Sequence, residues 1–333
     1  MAEWSKAPHS KCGVLERVPW VRIPLSPRRQ KNILEDEDGL YERIWTRYNK
    51  SMRKIGLALS GGSELGVVHI GVIQSFEDGG VTIDCIAGTS AGAVVAACYA
   101  FGVPMSEVTK EAKKLSLFKI SKFSRTTMGI ASNRMVGDLL VKLIGRDVKI
   151  EEANIPLAIV ATDVGTGEKI VFRSGSVAEA VRASTAIPGL FAPVAKDGRL
   201  LVDGGLVENL PIKELTDMHA DVKIGVNLTR WRSYKTPKSM VGVMLNSTSI
   251  MLRHQSAAHG ELADLVIEPH LEPYTSSEWG NADALIKEGY HAATLAMPTI
   301  KKLAAQKNVR RKETAKEKPA WRTRLWRWLT ASE

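Results

Sequence analysis

The chain is poor in the residues that would give it an unusual architecture. Three cysteines in 333 residues are too few for a disulfide framework. Cys85 and Cys98 sit in apolar surroundings on either side of a glycine-rich turn and read as small core residues. This cysteine usage fits a reducing, cytoplasmic setting. No apolar run approaches the ~20 residues that a membrane-spanning helix needs; the most apolar stretch is Ala91–Val103. The N-terminus lacks the continuous apolar region of a secretory signal. Internal repeats, the Rossmann glycine fingerprint and the Gly-Lys-Ser/Thr of a phosphate-binding loop are all missing. What remains is ordinary: 44% hydrophobic and 25% charged residues, enough for a sizeable core.

The charge is uneven. Of the formal net charge of +10, residues 301–333 hold eleven Lys or Arg against three Asp or Glu, an excess of +8. Lys307–Lys318 is charged and reads as unstructured. Within Pro319–Leu329, Trp321, Leu325, Trp328 and Leu329 share one helical face, with Arg322 and Arg327 off it. That pattern suits a helix lying on a membrane surface, and peripheral attachment at the inner face is the expectation. Nucleic-acid binding and a helix docked on its own domain are the rival readings, with no nucleic acid expected.

The chain divides into three parts. Residues 1–51 show neither a two-residue nor a 3.6-residue period and are read as an extension outside the domain. Val21-Arg22-Ile23-Pro24 can be spelled GTT-CGA-ATC-CCN, the T-loop of a transfer RNA gene, and Met52 directly precedes the first strand. The extension is therefore read either as a start codon placed too far upstream or as a disordered arm. Residues 52–300 form the catalytic domain, and residues 301–333 the basic tail.

From Ile55 the pattern is regular. Short apolar runs predict buried strands at Ile55–Leu59, Ile83–Ala87, Leu157–Ala161, Lys169–Phe172, Leu200–Val202, Lys223–Asn227 and Leu265–Ile267. Helices are predicted at Val67–Glu77, Ala91–Tyr99, Val177–Ser184, Ile212–His219 and Asp283–Ala296. Buried strands alternating with helices imply an α/β fold, three layers in α/β/α order around a mostly parallel sheet. The basic stretch Ser106–Arg125 reads equally as a lid over an apolar site or as an ordinary surface helix and loop.

Two motifs carry chemistry. Gly88-Thr89-Ser90-Ala91-Gly92 lies between a predicted strand and a predicted helix, the setting of a nucleophile elbow. Gly88 and Gly92 leave room for the tight turn, and the helix N-terminus places partial positive charge under Ser90. Asp203-Gly204-Gly205 offers a carboxylate beside two positions without side chains. Upstream, Ser60-Gly61-Gly62-Ser63 opens a helix, so its N–H groups are available to an oxyanion, each worth roughly 3–4 kcal/mol in acyl transfer. Two partners for Ser90 remain open. One is Asp203 alone, its pKa raised by partial burial. The other is a later histidine, His254, His259 or His270, with Asp203 as the third member. His69, alone on its helix, reads as a core residue.

These residues resemble the patatin-like phospholipases, in their bacterial single-domain form, across about Ile55 to Met297. The likeness rests on the glycine-rich loop, Gly-Thr-Ser-Ala-Gly and Asp-Gly-Gly in that order. It extends to His69-Ile70-Gly71-Val72, Ala161-Thr162-Asp163, Ala183-Ser184-x-x-Ile187-Pro188 and the Asn209-x-Pro211 that follows the aspartate. The resemblance implies a serine–aspartate dyad cleaving lipid acyl esters through an acyl-enzyme. Ser90 is then the nucleophile and Asp203 the base, while Gly61, Gly62 and Ser63 hold the oxyanion. It implies no metal and no cofactor. The chain departs from the family at Ser63, where a third glycine is usual, and at Leu65, where a basic residue is usual. That departure motivates a second reading, a catalytically weak regulatory or lipid-binding protein on the same fold. A Ser-His-Asp esterase acting on soluble esters is the third.

Overall fold

The computed structural model describes residues 53–117, 132–231, 234, 236–274 and 282–306. The N-terminal extension, the second half of Ser106–Arg125 and the basic tail beyond Gln306 lie outside them.

Among the described residues, eight strands form one sheet: β1 (Ile55–Leu59), β2 (Cys85–Thr89), β3 (Leu157–Asp163), β4 (Lys169–Phe172), β5 (Val194–Lys196), β6 (Arg199–Asp203), β7 (Val222–Val226) and β8 (Leu265–Ile267). Their order is β5-β6-β3-β2-β1-β7-β8, with β4 also paired to β3. The central pairs β3-β2, β2-β1, β1-β7 and β7-β8 are parallel. The pairs of β3 with β4, β3 with β6 and β5 with β6 are antiparallel. The sheet is therefore mixed and mostly parallel, as the alternation of strands and helices predicts.

Period-two alternation sorts the two faces by size. Leu57, Leu59, Ile86 and Ile159 point into the main core. They pack there with residues of α1 (Val68–Asp78), α2 (Ala91–Ala100) and α9 (Ala282–Ala305). The residues between them, Ala58, Cys85, Ala87 and Ala158, face a smaller cluster with Leu210, Ile212 and Leu215. Ile212 and Leu215 belong to the short helix α7 (Ile212–Asp217). Large residues on one face and small ones on the other let the two helical layers approach to different depths, giving the expected α/β/α order. Both described cysteines are buried and free, and burial pushes each thiol up to about 12. They are core residues, as expected.

Some described helices were left open, missed or under-extended by the sequence pattern. The helix α3 (Met105–Leu117) covers the described half of the lid candidate. Next, α4 (Arg134–Ile144) packs with α5 (Val177–Ser184). The longest unanticipated element is α8 (Met240–Gly260), which follows β7. The last described helix, α9, runs through Pro298 to Ala305, past the end expected at Ala296. Ile300 and Ala304 are buried, so packing carries the helix beyond the proline. No described helix is long and apolar enough to cross a membrane.

Candidate active site

The site forms where β1, β2, β6 and β7 end. β2 pairs with Leu157–Val160 of β3, and Thr89 stands opposite Val160. There β2 turns off into the elbow. β6 pairs with the next stretch of β3, placing Asp203 opposite Ala161. Ser90 follows Thr89 directly, so β3 acts as a ruler that brings two residues far apart in sequence to adjacent rungs.

Ser90 is the N-cap of α2, with φ 53° and ψ −124°. That conformation is costly for a residue with a Cβ, and such strain clusters at functional sites. It persists because the flanking chain is locked. A Cβ on Gly92 would stand 2.3 Å from the Leu59 carbonyl oxygen, so only glycine lets α2 start this close to β1. The Ser90 N–H donates to Ser184 Oγ at 2.8 Å, and Thr89 Oγ1–H donates to the Glu208 carbonyl at 2.9 Å. The Ser90 hydroxyl donates to Asp203 Oδ2 at 2.6 Å.

Asp203 is held on every side. Its N–H donates to the Ala186 carbonyl at 3.0 Å, and its carbonyl accepts from Thr162 Oγ1–H at 2.9 Å. Its second carboxylate oxygen, Oδ1, accepts the Gly205 N–H at 2.8 Å. Burial raises the carboxyl to about 6, and the hydrogen bonds from Ser90 and Gly205 keep it from rising further. Gly204 packs flat on β3, where a Cβ would lie 2.2 Å from the Val160 carbonyl oxygen. The two glycines after Asp203 thus seat it against β3 and supply one donor to its carboxylate.

The glycine-rich loop lies beside Ser90. A Cβ on Gly61 would stand 3.1 Å from Ser90 Cβ and 2.5 Å from Asn209 Oδ1. The Gly61 N–H is committed to the Asn209 carbonyl at 3.2 Å. Gly61 therefore contributes close approach rather than a free donor, and Gly62 and Ser63 are the residues of the set left to donate. Ser63 adopts φ 53°, a left-handed conformation that favours the glycine usual at this position. Leu65, in the turn Ser63–Val67, is buried in the main core. His69 is also buried. Its Nε2–H donates to the Ser60 carbonyl at 2.8 Å, and burial lowers the ring to about 4. It remains neutral and props the loop, in line with its reading as a core residue.

The candidate histidines do not join the serine. His254 and His270 are exposed, and among the described residues neither they nor His259 hydrogen-bonds Ser90 or Asp203.

Two site residues had no assigned role beforehand, although both lie in the motif phrases: Ser184, which fixes the Ser90 backbone, and Asn209. Asn209 is fully buried and donates its Nδ2–H to Ser256 Oγ at 2.8 Å and its N–H to Gln255 Oε1 at 2.9 Å. Its Oδ1 has no hydrogen-bond partner among the described residues and lies near both Gly61 and Gly205. Beneath the site, Lys169 bridges Glu208 and Glu214 at 2.5 and 2.6 Å, tying the segment after Asp203 to β4.

Comparison with known proteins finds the following similarities. An uncharacterized NTE family protein of Mycobacterium tuberculosis is 39% identical over 181 residues, 54% of this chain and 50% of that one. Lysophospholipase nte1 of Aspergillus fumigatus is 30% identical over 182 residues, 53% of this chain and 12% of that one. The chain thus spans half or less of these relatives. VipD from Legionella pneumophila superposes with a TM-score of 0.48 at 16% identity, covering 74% of this chain and 67% of that one. The Patatin-like phospholipase family model matches residues 57–216, a span that contains the glycine-rich loop, Ser90 and Asp203, and over it this chain is a patatin-like phospholipase domain.

Proposed function

We propose that this protein is a serine hydrolase of lipid acyl esters, working through Ser90 and Asp203 and an acyl-enzyme. The observation that carries the reading is the 2.6 Å hydrogen bond from a strained elbow serine to a buried carboxylate raised to about 6. A carboxylate with that pKa is mostly ionised at neutral pH yet basic enough to accept a proton from an attacking hydroxyl.

The steps follow from the geometry. Ser90 Oγ attacks the ester carbonyl carbon while its proton passes to Asp203 Oδ2. The oxyanion is held by the N–H groups of Gly62 and Ser63, and by the first amides of α2, which have no carbonyl one turn earlier to bond. Collapse expels the alcohol, which takes the proton from Asp203, and leaves Ser90 acylated. Water then attacks the acyl-enzyme, giving its proton to Asp203, and Ser90 leaves as the hydroxyl. Asp203 is base and then acid in each half, so neither a histidine nor a metal is used.

Similarity to a protein named lysophospholipase supports a lipid substrate. Leu65 does not weaken the reading. It is buried, so its lack of charge leaves the backbone donors of the loop in place. Attachment to the membrane through the basic tail remains part of the proposal and falls outside the described residues.

The test is hydrolysis of short-chain and long-chain acyl esters and of phospholipid vesicles by the parent, Ser90→Ala and Asp203→Asn. Loss of activity in both variants, with unfolding midpoints unchanged, supports the dyad. Full activity in either overturns it.

A further inference from the structure

The outer face of α8 is apolar where a surface helix is ordinarily polar. Met240, Val243, Met244, Ile250 and Met251 are all exposed, Met240 to 76%. Their spacing places them along one side of the helix. The other side is occupied: Leu252 packs near Gly205, Ser256 is buried on Asn209, and Gln255 bonds both Asn209 and the Leu206 carbonyl. The helix therefore lies on the segment that holds Asp203 and turns a methionine-rich face outward. Single exposed apolar residues need no explanation, but a contiguous set marks an interaction surface.

Charge says what the surface meets. From Arg230 to Gly260 there is no Asp or Glu, against five Lys or Arg. Lys238 and Arg253 are exposed near the two ends of the apolar set. Trp231, 41% exposed, stands just after β7, with the His270 ring at its edge and the guanidinium of Arg230, itself paired with Glu268, 5.2 Å from its ring centre, which leaves Lys238 and Arg253 as the cations flanking the apolar face. Apolar side chains flanked by cations and an interfacial tryptophan match an anionic lipid surface. A second copy of the chain would set the same cations against each other. The tail, with its own excess of +8, meets the same repulsion.

We infer that the α8 face, with Trp231, Lys238 and Arg253 at its margins, is the surface by which this protein docks on an anionic phospholipid bilayer. Docking would hold the end of the sheet that carries Ser90 and Asp203 near the lipid. The inference rests on the hydrolase reading for its purpose, though the binding itself does not require catalysis.

The experiment uses the full chain and its Val243→Glu/Met251→Glu and Arg253→Glu variants. Binding is read by co-sedimentation with phosphatidylcholine vesicles with and without phosphatidylglycerol, and activity on the same vesicles and on a monomeric, water-soluble short-chain ester. Among the described residues none of Val243, Met251 and Arg253 hydrogen-bonds Ser90 or Asp203, so soluble-ester hydrolysis serves as the control. The parent should bind phosphatidylglycerol vesicles preferentially and lose binding as salt rises. The double variant should bind about tenfold or more weakly, and Arg253→Glu more weakly than the parent. Vesicle hydrolysis should fall in parallel while soluble-ester hydrolysis and the unfolding midpoint are unchanged. Unchanged vesicle binding in the double variant overturns the proposal, as does an equal loss on the soluble ester with the fold intact. A change in elution volume without a change in vesicle binding also overturns it and assigns the face to a second copy. A parent that binds vesicles through this face yet hydrolyses nothing refutes the hydrolase reading alone.

Discussion

If Asp203 is the base, its protonation sets the acid limb of activity. Burial moves the carboxyl from 3.8 to about 6, which corresponds to about 3 kcal/mol of differential stabilisation of the neutral form. The carboxylate is the active form for acylation. With a soluble ester that does not itself titrate, kcat/KM should be level above pH ~7 and fall about tenfold per pH unit below pH ~6. His69 cannot produce this limb, because its ring is lowered to about 4 and faces the Ser60 carbonyl. Asp203→Asn removes the acceptor and should lower kcat/KM by about 10²–10⁴-fold, the usual worth of a positioned base, and abolish the limb. The limb should persist in His254→Ala, His259→Ala and His270→Ala. A profile flat down to pH ~5 would refute the assignment. So would a midpoint near the ordinary value of 3.8, since it would mean the carboxyl is not desolvated.

The remaining expectations concern stability and the loop. Asp203, with its pKa raised on folding, makes the native state more stable as pH falls through about 6 toward 3.8, whereas His69, lowered to about 4, makes it less stable as pH falls from 6.5. Each contributes about 3 kcal/mol with opposite sign, so between neutral pH and pH ~4 Asp203→Asn should lose about 3 kcal/mol of stability relative to the parent in denaturant titrations, and an equal pH response in the two would refute the raised carboxyl. Ser63→Gly should relieve the left-handed backbone by about 1 kcal/mol and raise the melting temperature, with hydrolysis retained. Leu65→Arg should destabilise by several kcal/mol, because a guanidinium would replace a buried core side chain. Denaturant midpoints would measure it, and an unchanged midpoint would show that the position opens to solvent.

Much of the site is legible along the chain because its parts are local. An apolar run ending in Gly88-Thr89-Ser90-Ala91-Gly92 announces a strand, a sharp turn and a helix, since only small residues tolerate that turn. Asp203-Gly204-Gly205 announces a carboxylate at a crowded backbone. Continuous apolar runs such as Ile55–Leu59 likewise imply a covered sheet. The histidine alternatives stayed open because residue type alone does not say which side chain reaches Ser90.

Other features escaped the local pattern. Leu65 is an apolar residue in a polar-looking loop, and only packing shows that it belongs to the core. Pro298 is a helix breaker by local preference, yet the burial of Ile300 and Ala304 carries α9 past it. The helix α8 bears apolar residues on its exposed and packed sides alike, so no single stripe announces it.

What the sequence by itself determined is the chemistry on offer: a serine at a tight strand-to-helix turn, a carboxylate followed by two glycines and a loop rich in backbone donors. Only the tertiary structure decided which of them meet. The register of β2 and β6 on β3 brings Thr89 opposite Val160 and Asp203 opposite Ala161, setting a hydroxyl 2.6 Å from a carboxylate 113 residues away in sequence. Burial then raises that carboxylate to about 6. Neither effect is encoded locally, because pairing register and desolvation are properties of the assembled sheet and the helices packed over it.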